Sequence, residues 1–518
     1  MDSSIVTQVL GFSNPTCPGT ECKTHLGLKL ARLGTRFHMF FVTVSFQKMG
    51  GFWMNEKLGR LALWMLVRAL PHVPDRLVNA YLVRKTRDIA APSAGEFLGK
   101  LFTELKHQLH RINPLCARRL LENLATPSLL AGETRRKVQA EIGTHPDVMV
   151  LSPTMRCNLA CTGCYSAHYD RHDDLSTRDL DNIVDQARGI GIHFVVVSGG
   201  EPYLRDDLLG AFERHPDVLF MTYTNGIIIS DRKLAPKLAR LGNVIPCVSI
   251  EGFEKETEER RGRGVWQKIL STMSALKDEG VIFGFSGTPT RYNSDLLVSD
   301  ELVDFYVERG CMIGWLFSYM PVGRNPDVDL MPTPEQRLRR LRRVRELRRT
   351  KPIIVADFWC DGQMTDGCLS SGKVYFHVNA QGGIEPCVFN QFSVHNIKQT
   401  PLRVALASPY FGYLRQRLGE IHNKYRPCPV TDRPQILRDA CRLYQPRPSQ
   451  AGGDHVISDL APAIDAYAWQ LKRVMDPEWQ HDVPNGAVDD DRAHLGASPR
   501  MCPDREYAVE HPGQTWKF

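Results

Sequence analysis

The sequence predicts an α/β protein whose core is a barrel or partial barrel of six strand–helix units, (βα)6. A helical N-terminal region precedes this core and a cysteine-rich C-terminal extension follows it. The core is predicted because short apolar runs alternate with amphipathic segments six times between residue 147 and about residue 350. Such repetition favours parallel strands joined by right-handed crossovers, and therefore an α/β barrel or partial barrel.

The composition is that of an ordinary globular protein. The chain has 518 residues, of which 42% are apolar and 24% are charged. Its formal net charge of +7 is small for this length and does not indicate a nucleic-acid partner. The 14 cysteines are clustered rather than spread as a disulfide framework, and no secretory signal opens the chain. No apolar run reaches the roughly 18–20 residues of a membrane-spanning helix, so we predict a cytoplasmic protein.

The N-terminal part divides into residues 1–26, which lack periodicity and are predicted to be disordered, and residues 27–145, which have helical spacing. Two interpretations of the helical region remain open. It packs on the domain that follows, or it is a basic amphipathic surface that contacts the inner membrane face peripherally. The second interpretation rests on aromatic and apolar residues that stand among arginines and lysines: Phe37, Phe40, Phe41, Trp53, Trp64 and Leu66.

Residues 146–352 are predicted to form the barrel. Each predicted strand is followed by an amphipathic helix, and the strands are "DVMVLSP", "HFVVVSGG", "VLFMTYTNG", "VIPCVSIEG", "IFGFSGTPT" and "MIGWLFSYMP". The last helix contains an arginine-rich run at 337–349. Because Leu338, Leu341, Val344 and Leu347 form a stripe along it, we predict an outer barrel helix with a solvated basic face rather than a nucleic-acid site.

Residues 353–445 form the predicted extension, with five cysteines among glycine-rich turns: Cys360, Cys368, Cys387, Cys428 and Cys441. Residues 446–518 are predicted to hold one amphipathic helix, at 459–475, and then a poorly ordered tail.

Three cysteines, Cys157, Cys161 and Cys164, stand within eight residues directly after the first predicted strand. Two thiolates suffice for a redox pair and four for a closed zinc site. Three predict a [4Fe–4S] cluster in which each cysteine binds one iron and the fourth iron is open. A zinc site with one distant ligand and cysteines without a metal are the alternatives.

This cysteine spacing, together with "SGGEP" (198–202) at the end of the second strand, resembles the radical S-adenosylmethionine (radical SAM) superfamily over about residues 147–350. The family's aromatic residue before the third cysteine is Gly163 here, and Tyr165 is expected to supply the aromatic cover. The resemblance implies that S-adenosylmethionine binds at the strand ends. Its amino group would meet the Gly199-Gly200-Glu201-Pro202 turn, with Asn225 near the cofactor, Ser249 or Glu251 on the ribose, and Ser286 or Thr288 on the carboxylate.

The resemblance also implies a reaction. A reductant such as flavodoxin or ferredoxin reduces the cluster, and S-adenosylmethionine is then cleaved to a 5′-deoxyadenosyl radical. That radical abstracts a substrate hydrogen or adds to the substrate.

"GCLSSGKVYFHVNAQGGIEPCVF" (367–389) resembles the SPASM or twitch extension of many radical SAM enzymes. The resemblance implies one auxiliary [4Fe–4S] cluster held by Cys368, Cys387 and Cys428. A structural zinc and metal-free cysteines are the alternatives. The remaining cysteines are expected to serve packing, with Cys360 and Cys441 undecided.

The predicted function is therefore that of a radical SAM enzyme, for which we favour a lipid-like substrate because of the N-terminal aromatic and basic residues. A maturase that modifies a peptide or protein is the first alternative, and a non-catalytic iron–sulfur electron-transfer or assembly protein is the second. A small-molecule substrate fits the same motifs. Modification of a nucleic acid is disfavoured because no RNA-binding motif is present.

Overall fold

The computed structural model describes residues 74–75, 103–104, 106–129, 132–484 and 486–487. Three sequence predictions concern segments outside these ranges: the disorder of residues 1–26, the aromatic and basic residues between Phe37 and Leu66, and nearly all of the tail. In the part of the chain that the structure describes, none of the helices combines the length and the apolar character that crossing a bilayer requires.

The described α-helices are α1 (Pro114–Leu129), α2 (Gly132–Ile142), α3 (Thr177–Gly189), α4 (Leu208–Arg214), α5 (Ile227–Asp231), α6 (Ala235–Leu241), α7 (Glu254–Arg261), α8 (Val265–Asp278), α9 (Asp300–Glu308), α10 (Pro334–Thr350), α11 (Gly362–Thr365), α12 (Leu402–Leu406), α13 (Pro409–Gly419), α14 (Pro434–Tyr444) and α15 (Ala461–Asp482). The described strands are β1 (Val148–Leu151), β2 (Phe194–Val197), β3 (Leu219–Thr224), β4 (Val244–Ile250), β5 (Gly284–Gly287), β6 (Ile313–Leu316), β7 (Ile354–Asp357), β8 (Tyr375–Val378), β9 (Gly383–Glu385), β10 (Phe392–Ser393), β11 (His395–Asn396) and β12 (Arg447–Pro448). Single 3-10 turns span Leu109–Arg111, Pro202–Leu204, Leu296–Val298, Val328–Leu330 and His455–Ile457.

One ten-stranded sheet, in the order β11-β9-β8-β1-β2-β3-β4-β5-β6-β7, organises the described chain. The strands β1 to β7 are parallel, as the six strand–helix units predicted, and the sheet is open at both edges. The α/β partial-barrel prediction is confirmed.

The parallel part of the sheet is longer than the six predicted strands. It gains β7 beside β6, and it gains β8, which pairs in parallel with β1. Both added strands lie in the segment that the sequence assigned to the C-terminal extension, where short apolar runs stand among cysteines and glycines. The domain boundary at residue 353 remains a prediction, but the sheet does not stop there.

The described part of the N-terminal helical region packs on the barrel. In α1, Cys116 and Leu120 are buried in the same hydrophobic cluster as the first residues of β1 and β2, Val148 and Phe194. The backbone N–H of Asn113, just before α1, donates to the carbonyl of Gly280 at 2.8 Å. The packing interpretation therefore holds for residues 109–124, and the membrane interpretation rests on residues outside the described chain.

The arginine-rich helix α10 has only part of the solvated basic face that the sequence predicted: Arg339, Arg342 and Arg349 are exposed, but three other arginines are not. Arg337, Arg340 and Arg348 are buried, and each forms an ion pair with a carboxylate from a later segment of the chain: Asp432, Asp357 and Asp361, respectively. The prediction missed these buried arginines because an amphipathic pattern shows which face is apolar, but it does not show which distant carboxylates will cover part of the polar face. Here β7, the residue before α11 and the loop before α14 supply them.

The buried arginines give a stability prediction. Arg340→Ala should lower the free energy of unfolding by about 3–5 kcal/mol, because it leaves the carboxylate of Asp357 buried and unpaired. The matched control is Arg339→Ala, which removes an ion pair with Asp295 whose side chains are 57% and 53% exposed. That change should cost at most about 1 kcal/mol. Urea denaturation of both variants measures the difference, and equal losses would contradict a structural role for the buried pair.

Candidate functional site

The loop of three cysteines follows β1 and opens onto a deep cavity. Cys157, Cys161 and Cys164 all line this cavity, which has a volume of about 1590 Å³ including its opening to solvent. Each of the three is half-buried and none is in a disulfide. The sequence-predicted cluster ligands are therefore brought to one space, at the carboxyl end of a barrel strand.

Hydrogen bonds to neighbouring elements hold the loop in place. The backbone N–H groups of Gly200 and Glu201 donate to the carbonyls of Thr154 and Arg156, at 2.9 and 2.8 Å. A β-carbon on Gly200 would lie 2.1 Å from the carbonyl oxygen of Arg156. Glycine is thus required at this position because the backbone that leads into Cys157 passes directly against it.

The sequence expected aromatic cover near Gly163, and the structure supplies it from an additional residue. Gly163 has a φ of +64°, and a β-carbon there would lie 2.5 Å from Cε2 of Tyr319. Tyr319 and Tyr165 both line the cavity. Gly163 therefore makes room for a ring that comes from the segment after β6.

Six of the predicted cofactor-binding residues line the same cavity: Gly199, Gly200, Asn225, Ser249, Ser286 and Thr288. They come together because parallel strands end at the same edge of a barrel. The hydroxyl groups of Ser249 and Ser286 are 3.2 Å apart, and the Asn225 amide donates to Oδ1 of Asn158, in the cysteine loop, at 2.8 Å. The cavity thus has polar groups on one side of its mouth, next to the cysteines.

Glu201 and Pro202 are not among the lining residues. The Glu201 side chain is fully buried and accepts hydrogen bonds from Thr224 Oγ1 and the backbone N–H of Asn225, both at 2.8 Å. Burial raises the pKa of Glu201 to about 7. That carboxylate shapes the end of β3 and so positions Asn225, and its contact with the ligand's amino group remains a prediction.

Glu251 is also buried and is not among the residues that line the cavity, so the ribose contact expected of Ser249 or Glu251 remains a prediction. Its carboxylate forms ion pairs with Arg260 and Arg261, at the end of α7, and these two arginines do line the cavity. Arg260 and Thr162 exchange two hydrogen bonds at 3.1 Å, so the helix end is attached to the cysteine loop. Sequence reasoning missed this pair, although "EERRGRG" (258–264), at the end of the helix that follows the fourth strand, could have indicated it.

Burial and nearby positive charge shift the pKa of the Cys161 thiol in opposite directions. Burial raises the pKa of the Cys161 thiol, and the positive charges of Arg261 and Arg260 oppose that rise. Burial raises the pKa of Cys157 to about 11. A bound metal would displace these protons, and the two guanidinium groups would then offset part of the thiolate charge.

The deeper wall of the cavity is apolar and aromatic. Tyr223 and Phe317 contact edge-to-face with ring centroids 5.2 Å apart, and Phe317 contacts Phe358 at 5.1 Å. Apolar strand residues complete this wall: Val148, Val150, Phe194, Val196, Met221 and Trp315. The site therefore combines a polar, cysteine-bearing mouth with a water-excluding interior.

The three cysteines predicted for an auxiliary cluster line a second cavity, of about 480 Å³. Cys368, Cys387 and Cys428 are half-buried and free of disulfides. Burial raises the pKa of all three thiols, that of Cys387 to about 11. Cys360 and Cys441 are buried and do not line this cavity. Cys17, Cys22 and Cys502 lie outside the described residues.

The donor sets suit iron–sulfur clusters at both sites. Each site gathers three unbridged cysteines around one cavity, and thiolates are the usual ligands of such clusters. Among the described residues, no three His, Cys, Asp or Glu side chains are grouped so as to hold a single metal ion. A cubane cluster does not need that grouping, because each cysteine binds a different iron.

Comparisons with known proteins agree with the cysteine loop. Residues 151–293 match the family model described as "Radical SAM superfamily". Fe-coproporphyrin III synthase of Methanosarcina barkeri is 29% identical over 230 residues, which are 42% of this chain and 56% of that protein. Mycofactocin maturase MftC of Mycolicibacterium smegmatis is 32% identical over 192 residues, 35% of this chain and 47% of that protein. The chain thus spans about half the length of these curated relatives.

A solved structure of Streptococcus suis SuiB bound to the precursor peptide SuiA is also similar. It is 20% identical, with a TM-score of 0.47, and the match covers 56% of this chain and 71% of that one.

The tight contact at Gly200 gives a prediction for the loop. Gly200→Ala should reduce iron incorporation at the cysteine loop severalfold, because the added methyl group displaces the Arg156 carbonyl next to Cys157. Gly412→Ala, in α13, is the matched control, since no atom lies within 4 Å of its β-carbon position. Iron content after anaerobic reconstitution measures both variants. Normal iron content in Gly200→Ala would show that the loop tolerates the displacement.

Proposed function

We propose, on the premise that residues 151–293 are a radical SAM domain, that this chain is a radical SAM enzyme. It binds a [4Fe–4S] cluster through Cys157, Cys161 and Cys164 and uses S-adenosylmethionine for radical modification of a substrate. The observation that carries the proposal is the single cavity that holds all three cysteines and six of the predicted strand-end residues.

The bound groups would together supply a 5′-deoxyadenosyl radical by reductive cleavage of S-adenosylmethionine. The chain itself provides ligands, orientation and exclusion of water. The side chains of Asn225, Ser249, Ser286 and Thr288 offer amide and hydroxyl groups to the polar parts of the cofactor. Arg260 and Arg261 place positive charge beside the thiolates, and the aromatic wall keeps water from the reacting group.

An auxiliary [4Fe–4S] cluster at Cys368, Cys387 and Cys428 is part of the proposal. Its support is the gathering of these cysteines, which are up to 60 residues apart in the chain, around one small cavity. An external reductant such as flavodoxin or ferredoxin supplies the electron for the first cluster.

The apolar wall favours a substrate whose reacting part is apolar. We retain a lipid-like substrate, bound by an enzyme in peripheral contact with a membrane, as the leading hypothesis. Its support is the cavity wall together with the aromatic and basic residues between Phe37 and Leu66. A peptide substrate is the alternative, because one relative is named as the maturase of mycofactocin and the SuiB structure contains a precursor peptide.

The first test removes the cluster ligands. The triple variant Cys157→Ala, Cys161→Ala and Cys164→Ala should form no 5′-deoxyadenosine from S-adenosylmethionine under reducing conditions, whereas the unaltered protein forms it. The same triple variant should still bind a second cluster. Adding Cys387→Ala to it should remove that cluster as well.

The control is Cys311→Ala, which changes a buried cysteine that lines neither cavity. Unchanged product formation in the triple variant would reject the radical SAM proposal. If the unaltered protein binds its iron–sulfur clusters but does not cleave S-adenosylmethionine, the electron-transfer alternative would be favoured.

The second test addresses the substrate class. If the N-terminal residues dock on a bilayer, the full chain should float with anionic liposomes at low salt and less well at high salt, because salt screens the basic residues. The control replaces the anionic lipid with a neutral one. A protein that stays at the bottom of the gradient under both conditions contradicts the membrane hypothesis and makes the peptide the leading substrate.

A further inference from the structure

Tyr165 connects the three-cysteine loop to the turn at the end of β2. Its hydroxyl lies 2.8 Å from Oγ of Ser198, and it accepts a hydrogen bond from the backbone N–H of Gly199 at 3.4 Å. Ser198 and Gly199 line the larger cavity, as Tyr165 does. One phenol group from the cysteine loop therefore holds part of the predicted cofactor turn.

The backbone of this turn is fixed on the side that faces β1. Gly199 has a φ of +110°, and a β-carbon there would lie 2.3 Å from the carbonyl oxygen of Thr154. On the opposite side the turn meets hydroxyl groups, because Oγ of Ser166 donates to the carbonyl of Gly199 at 3.2 Å beside the phenol of Tyr165. The exact position of the turn thus depends on where the chain after the cysteines places these hydroxyls.

Two glutamine amides from the C-terminal part of the chain hold the backbone of Tyr165. Nε2 of Gln450 donates to the carbonyl of Tyr165 at 2.8 Å, and Nε2 of Gln391 donates to the same carbonyl at 3.1 Å. A backbone carbonyl has two lone pairs, so the two amides saturate it. Oε1 of Gln450 also accepts from the backbone N–H of His168 at 3.1 Å. Gln450 therefore holds the chain at two points where it leaves the cysteine loop.

The two glutamines are placed by the antiparallel pairing of β10 with β12. Gln391 directly precedes β10, and the N–H of Ser449, directly after β12, donates to its carbonyl at 2.8 Å. Gln391 is buried and Gln450 is 6% exposed. Buried amides that lose their partners cost free energy, so the bonds to Tyr165 are a required part of this packing.

The ring of Tyr165 is fixed as well. It contacts the ring of Phe389 edge-to-face, with the centroids 5.5 Å apart. Phe389 belongs to a wall that the two cysteine cavities share, because four side chains line both of them: Phe358, Leu369, Tyr375 and Phe389. The phenol of Tyr165 consequently lies between this wall and the turn that it holds.

We propose that Gln450 and Tyr165 are positioning residues for the binding of S-adenosylmethionine. Gln450 holds the backbone of Tyr165, and the Tyr165 hydroxyl holds Ser198 and Gly199 in the arrangement that receives the cofactor. The inference rests on the proposed function, which names the ligand of this turn. It gives the segment after the extension a part in cofactor binding, whereas the sequence analysis assigned that binding to no residue beyond Thr288.

The test measures binding separately from cleavage. The full-length protein is reconstituted with iron and sulfide and kept without reductant, and the Kd of S-adenosylmethionine is measured by equilibrium dialysis. Tyr165→Phe and Gln450→Met should each raise that Kd about fivefold or more at unchanged iron content, since a neutral hydrogen bond is worth roughly that factor. The matched controls are Tyr467→Phe and Gln435→Met, which remove bonds to the carbonyl of Pro332 and to Asp439 and line neither cavity. Both controls should leave the Kd unchanged.

A double-mutant cycle distinguishes positioning from a general structural role. If Gln450 acts through the Tyr165 hydroxyl, Gln450→Met should weaken binding much less in the Tyr165→Phe background than it does alone. Effects that multiply in full overturn the inference, and so does an unchanged Kd in either iron-loaded single variant.

A second substitution covers the case in which Gln450→Met fails to fold or to bind iron. Gln450→Glu keeps the acceptor for the N–H of His168 but cannot donate to the carbonyl of Tyr165, so it should raise the Kd in the same way. Normal binding by iron-loaded Gln450→Glu overturns the inference and leaves the proposed function intact. An unaltered protein that loads iron but does not bind S-adenosylmethionine rejects the proposed function and the inference together.

Discussion

The parallel pairing of β8 with β1 is the constraint on which the rest of the site depends. It aligns Val148 to Leu151 with Tyr375 to Val378, residue by residue. The backbone N–H of Ser152, just beyond β1, then donates to the carbonyl of Val378 at 2.9 Å. Because β1 leads into the three-cysteine loop, this pairing sets the C-terminal extension directly beside the loop and places the two cysteine cavities on either side of one wall.

A buried polar network stabilises this junction. His377 in β8 contacts Ser152 Oγ at 2.7 Å through Nε2 and Glu385 in β9 at 2.6 Å through Nδ1. Glu385 also accepts hydrogen bonds from Tyr169 at 2.9 Å and from Asn379 at 2.6 Å. Tyr169 follows the cysteine loop, so the network connects both sides of that loop to the β8–β9 hairpin. Buried polar groups are tolerated only when they are paired, and the loss of one partner would leave several groups unsatisfied.

Helix α10 completes the arrangement from the opposite edge of the sheet. Arg340 joins Asp357 of β7 to Ser294 and Ser318, at 2.9 and 2.6 Å to the two hydroxyls. Arg337 reaches Asp432 at 2.7 Å, and Arg342 reaches Glu478 of α15. Barrel, extension and C-terminal helix are therefore held to one helix by charge pairs whose members are distant in sequence. Later segments therefore cover part of a helix whose sequence resembles a solvated basic surface, while Arg339, Arg342 and Arg349 remain exposed.

The amino-acid sequence by itself determined the parallel strands, the three-cysteine loop and the polar strand ends. These features are local, since apolar runs, cysteine spacing and turn residues are written in consecutive positions. Only the tertiary structure decided that β7 and β8 extend the barrel sheet, that Glu201 and Glu251 are buried among hydrogen-bond and ion-pair partners, and that Arg260, Arg261, Tyr319 and Tyr375 border the cavity. The physical reason is that burial, ion pairing and a wall shared by two cavities depend on which distant segments meet, and the periodicity of a single segment carries no information about its partner.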